Sequence, residues 1–367
     1  MVMNRSMVAM LAAALGIACA GSGVSASYVV AHPGLSHREV LPVASALRPG
    51  ARPWWSAFQS EALNALIAQA GRAAGAGERP DAPAAEIGVS AAYVAVVVQT
   101  LRLTYLESAL IAVRRQSQLI AASAALHDDF SKELVRRETG AAAAMKKIDA
   151  QREANLAFLV ARCGLPEAAL KKTIADEVAQ RRLPRFSASL PQAVPAALLA
   201  NRDDIQLAAS LYGIEPQALL VGTIDAARDS GDGGDSDPPA EAALPGYPLF
   251  PQAVARGRAE VAEALRRLQA SNDMAADASG RARRAKDEFE RSKVRMSRGD
   301  MSEVQMLEDF QGLMLDRQRL AAADGELAIA WIALIASLGS QAPVVLRGGF
   351  APDATALRGR PGLVGSF

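Results

Sequence analysis

The chain has 367 residues, enough for one large or two modest domains. Half of them are hydrophobic but only 5% are aromatic, and the apolar content is rich in Ala, which favours long, closely packed helices over a sheet-rich sandwich. With 40 basic against 39 acidic residues, the chain as a whole has no electrostatic reason to seek nucleic acid.

Residues 1–26 read as a secretory signal peptide. Arg5 precedes the apolar run Met7 to Ala20, and small residues then offer cleavage after Ala18-Cys19-Ala20 or Val24-Ser25-Ala26. The competing reading is a short buried N-terminal helix. Cys19, in Gly16-Ile17-Ala18-Cys19, is a candidate lipidation site, although Gly16 stands where lipoprotein signals usually carry Leu. Cys163 is then left alone, which excludes a disulfide framework and makes it a small helix-packing residue. No later segment reads as an uninterrupted apolar span of about 18 residues, so the sequence predicts export without a helical anchor.

Residues 27–53, rich in Pro, Gly and Ser, form an extended lead-in. Across 54–90, Trp54, Trp55 and Phe58 are followed by Leu63, Leu66, Ile67 and Ala70 at helical spacing, and 71–90 then reads as a loop. The first helical hairpin is placed at 91–166. Val98, Tyr105, Ala112, Leu119 and Leu126 recur every seventh position, as in a coiled-coil seam. The pattern breaks at 127–131, where Asp129 or Ser131 is positioned to cap a second helix running to Gly164 and Pro166.

Residues 167–250 read as a linker, its later part an acidic Gly/Pro stretch of low hydrophobicity whose composition favours disorder. The second hairpin, 251–341, repeats the plan with an unbroken seven-residue series from Val254 to Met296 and a return stripe of Met306, Leu313, Leu320, Leu327 and Leu334. Its turn is expected at 297–302: Gly299 can take a positive φ, Ser302 can cap the next helix, and Glu303 and Glu308 place negative charge near its N-terminus. Residues 342–367 are a tail. Both the turns and the end signals are offset by about 170 residues, which marks an internal duplication. The expected fold is all-α, two long antiparallel coiled-coil hairpins whose Ala-rich stripes need lateral partners.

His32 and His37 lie five residues apart and His127 far from both, without a ligand-spaced cluster, and no phosphate cradle or nucleophile motif is present, so no enzyme, metal or cofactor is expected. The basic run 281–298 reads either as a surface for an anionic partner or as a solvated helix face neutralised by Asp287, Glu288 and Glu290. Arg317 and Asp324, seven apart on the seam, read either as a buried or channel-facing polar pair or as a solvated edge.

Trp55, Phe58, Leu63, Leu66 and Ile67, then Leu190, Pro191, Leu198, Leu199, Arg202, Asp204 and Ile205, then Arg295, Gly299, Ser302, Val304 and Leu307 follow in one order. This series resembles the TolC-type outer-membrane factors of bacterial efflux and secretion systems, closest to their often lipidated multidrug-efflux branch. Asp203 departs from the Pro of the family's linker signature, and Met296 replaces an aromatic at the second tip. The resemblance implies a non-enzymatic homotrimer of the outer membrane or periplasm. It also implies that the tip residues Gly299, Asp300, Ser302 and Val304 meet a periplasmic adaptor (membrane-fusion) protein coupled to an inner-membrane pump. Four barrel strands per chain are expected in that family. A membrane strand needs ~9–11 residues of alternating polarity, and residues 71–90 and 213–250 supply no such set, so the barrel strands read as absent or vestigial. The alternative is a barrel-less periplasmic coiled-coil scaffold that binds envelope proteins without conducting substrate.

Overall fold

The computed structural model describes residues 53–73, 82–122, 128–179, 190–225 and 248–339. The signal, Cys19, the lead-in, His127, most of the acidic stretch and the C-terminal tail lie outside them.

A 3-10 turn at Trp54–Phe58 buries Trp54 and Phe58 and leads into α1, Glu61–Ala73. Two long helices follow, α2 at Ala82–Ala122 and α3 at Asp128–Cys163. They pack antiparallel, because paired positions approach each other in sequence: Asn155 Nδ2 donates to Gln99 Oε1 at 3.2 Å, and Arg114 meets Glu138 at 2.8 Å. After Gly164 a helix α4 spans Glu167–Ala179. Then come β1 (Ala193–Pro195), a 3-10 helix (Ala196–Asn201), α5 (Asp203–Tyr212), α6 (Pro216–Leu219) and β2 (Thr223–Asp225). The second hairpin is α7, Leu249–Ser297, and α8, Glu303–Leu338. Among the described residues the only sheet is the antiparallel pair β1–β2, with Val194 opposite Ile224. The fold is all-α.

The duplication is sharper than the sequence suggested. Ala122 to Ser297, Asp128 to Glu303 and Cys163 to Leu338 are each a step of 175 residues, and a positive-φ glycine follows both return helices, Gly164 and Gly339.

Three expectations are corrected. The region 71–90 is not one loop: α1 continues to Ala73 and α2 begins at Ala82, nine residues before Ala91. Pro83 falls in the first turn, where a helix needs no N–H from it, so proline opens this helix instead of breaking it. The helix after the first turn starts at Asp128, which places Asp129 and Ser131 inside its first turn and not at its cap. Finally, α2 and α8 do carry 18-residue stretches apolar enough to cross a membrane by length and composition. Within the fold, 72% of the α2 stretch and 44% of the α8 stretch is buried.

The main core lies at the end remote from the turns. There Leu63 and Leu66 of α1, Tyr93 and Val94 to Val98 of α2, Leu159 and Cys163 of α3, Phe250 and Leu265 of α7, and Ile332 and Leu338 of α8 pack with Leu199 and Ile205. Toward the turns the apolar core thins to a small cluster of Ala109, Leu313 and Met314, flanked by Phe289 and Phe310 whose rings lie 5.2 Å apart.

Candidate docking tip and inter-hairpin network

At the second turn, α7 ends in a Schellman arrangement. Gly299 adopts φ +81°, its N–H donates to the Met296 carbonyl at 3.0 Å, and the Asp300 N–H reaches back to Arg295 at 2.9 Å. A Cβ at position 299 would meet nothing within 4 Å, so only the backbone conformation asks for glycine here. Ser302 then caps α8. Its Oγ accepts from the Gln305 N–H at 3.3 Å, and the Gln305 side chain accepts from the Ser302 N–H at 3.1 Å, a closed capping box. Gly299, Asp300 and Ser302 are exposed and Val304 is half-buried.

Val304 is where the two hairpins meet. Gln116 of α2 is fully buried, and its Nε2 donates to the Val304 carbonyl at 2.8 Å and to Glu308 at 3.3 Å. Its Oε1 accepts from Gln311, itself only 5% exposed. Glu308 is also held by Arg137 of α3 at 2.7 Å, and Arg115 pairs with Glu303 at 2.8 Å. Arg137 bonds Glu133 as well; hydrogen bonds from Arg137 and then Arg136 hold the Glu133 carboxyl below its ordinary range. A buried amide must be satisfied at both ends, so this lattice ties the first turns of α8 to both helices of the first hairpin. It also brings the later part of α2 and the first part of α3 to the end of the molecule where α8 begins.

The opposite end has a second polar hub. Arg202 sits between the 3-10 helix and α5 with its side chain 6% exposed. Its guanidinium grips Asp204 through two nitrogens at 3.0 and 2.8 Å, reaches Glu260 of α7 at 2.8 Å, and donates to the Ser337 carbonyl in the last turn of α8 at 2.8 Å. Burial pushes the Asp204 carboxyl up, but Arg202 outweighs it and the carboxyl stays below its ordinary range. Gly339, at φ +84°, lets the chain end of α8 close on this hub: a Cβ there would lie 2.5 Å from the Asn201 carbonyl oxygen. Arg202 and Asp204 were singled out in the sequence by their place in a signature. Their role as a clasp was not.

Arg317 and Asp324 are both half-buried, and no ion pair joins them. Burial alone raises the Asp324 carboxyl to about 6. Of the carboxylates in the basic run, Glu288 pairs with Arg291 and Glu290 with Lys293 at 2.5 Å. Among the described residues no three His, Cys, Asp or Glu side chains gather as a metal ion would need; His32, His37 and His127 lie outside those residues.

No protein-family profile matches the chain, and no curated protein matches it. Solved structures are similar to it in part. A membrane protein from Pseudomonas aeruginosa shares 18% identity at a TM-score of 0.48, over 78% of this chain and 74% of that one. The outer membrane protein VceC from Vibrio cholerae shares 13% identity at 0.46, over 91% and 90%. The Campylobacter jejuni CmeC outer membrane channel shares 13% at 0.48, over 82% and 68%.

Proposed function

We propose that the chain is a TolC-like, non-enzymatic subunit of an export system, placed in the outer membrane or periplasm, whose second hairpin tip docks a periplasmic adaptor. The observation that carries this reading is the pair of antiparallel hairpins 175 residues apart, with the turn-side parts of α2 and α3 beside the start of α8 and a pre-shaped tip at Gly299-Asp300-Met301-Ser302. Docking favours such a tip because a turn fixed by a Schellman motif and a capping box loses little freedom on binding. Apolar surface left open along the stems supports self-association, and a homotrimer is the proposed state: Ile111, Val135 and Met274 are each more than half exposed. The signal and a lipid on Cys19 would deliver and anchor it.

A barrel-less scaffold remains as a second reading because one observation favours it. Only eight residues separate α1 from α2, fewer than a single membrane strand of ~9–11 residues needs.

Cysteines placed at 300 and 302, cross-linked in cells to a co-expressed adaptor, test the docking role. Capture of the adaptor from the tip and not from stem positions supports it. Capture from stem positions alone moves docking away from the tip.

A further inference from the structure

We infer that the last third of α7 carries a second docking surface, a straight arginine stripe built to receive an acidic helix of a partner protein. Arg281, Arg284, Arg291, Arg295 and Arg298 fall within about 100° of arc and extend along about 26 Å, since a helix advances ~100° and ~1.5 Å per residue. All five are exposed. Of these only Arg291 is paired, with Glu288. Arg281, Arg284, Arg295 and Arg298 take part in no ion pair or side-chain hydrogen bond among the described residues, although Arg295 acts on Glu288 at longer range.

The contrast within the same helix is informative. Nearer the base, Glu263 pairs with both Arg266 and Arg267. Over 281–298 there are eight cations against three anions, and two of those anions, Glu288 and Glu290, are already engaged. Arg281, Arg284 and Arg291 share with Asp287, Glu288 and Asp316 of α8 the walls of a cleft of about 470 Å³.

The occupant follows from the arrangement. Guanidinium forks are matched to planar carboxylates. Their spacing is helical, so carboxylates on one face of another straight helix meet them in register. Val294 and Met296, 48% and 36% exposed, flank the stripe and give such a helix apolar cover. No aromatic side chain is exposed there to stack on a base. The inference rests on reading this hairpin as a docking element. It concerns the stem, not the turn.

The test uses the purified full-length chain and synthetic helices labelled for fluorescence anisotropy. One carries Glu at the stripe's spacing, one carries Gln there and one Lys; phosphatidylglycerol vesicles are the fourth probe. The Glu helix is expected to bind about tenfold tighter than the Gln helix, more weakly as salt rises. The variant Arg281→Glu/Arg284→Glu/Arg295→Glu should lose about that factor for the Glu helix and gain it for the Lys helix, with circular dichroism unchanged. Asp300→Ala, which alters the tip surface without removing the backbone bonds that end α7, should leave this binding intact, so failure here is separable from failure of tip docking. Equal binding of the Glu and Gln helices, preference for the vesicles, or a changed oligomer size in the triple variant would each overturn the inference.

Discussion

The two ends of this molecule are held together by different physics. At the base, fully buried apolar side chains from seven helices surround a charged hub, and Arg202 is enclosed with its carboxylates and the end of α8. Toward the turns, the contact between hairpins is made largely by amides and ion pairs, with Gln116 and Gln311 at its centre and exposed arginines outside. Apolar burial is strong and undirected, whereas a polar lattice is weaker but fixes register. The base should therefore carry stability, and the turn end should carry geometry.

That division can be broken most forcefully at the hub. Arg202→Met strands Asp204 and Glu260 and opens the end of α8, and is expected to cost about 3 kcal/mol in urea unfolding. A loss below about 1 kcal/mol would mean that the base does not depend on the clasp. At the turn end, Gln116→Leu should cost about 2 kcal/mol because the Gln311 Nε2 loses its acceptor and the Val304 carbonyl its donor, while adding Gln311→Leu should recover at least half of that loss. Additive losses in this double-mutant cycle would show that the two amides do not act as a pair.

Asp324 lies along α8 between the two ends and sharpens the boundary. Its folded carboxyl titrates near 6 against an ordinary 3.8. The folded chain therefore holds that proton more tightly, and the associated stability is present below about pH 4 and lost as pH rises through 6. Asp324→Asn should stabilise the protein by about 1–2 kcal/mol at pH 8 and leave it unchanged at pH 4. The smallest effect belongs to the turn itself. Gly299→Val forces a left-handed conformation on a branched side chain and should cost about 1 kcal/mol, felt as local fraying with helicity and oligomer size retained.

The turn was legible in the sequence because its determinants are contiguous: the helix-ending glycine, the capping serine and the charges on either side all lie within a few residues. The hairpin stems were legible from their seven-residue series. What sequence reasoning missed depends on distance or on weak local pattern. Gln116 and Gln311 are 195 residues apart and look like surface glutamines until the fold joins them. Arg202 meets partners 58 and 135 residues away. Helix α4 buries only Leu170 and Ile174 deeply, too sparse a stripe to stand out against a linker. Pro83 concealed the start of α2 because a proline inside a helical pattern usually reads as a break. The half-burial of Val304 has the same origin as the glutamine lattice: its carbonyl is claimed by the other hairpin.

The central claim, that this chain is an exported subunit assembling around its stems, is tested most directly by the state of the protein in the cell envelope. Envelope protein would be extracted in mild detergent after fractionation, and its mass measured by light scattering together with the N-terminal sequence. The account predicts a processed chain lacking Met1, recovered with the outer membrane or periplasm, at three copies per particle. A monomeric, cytosolic chain that retains Met1 would contradict it.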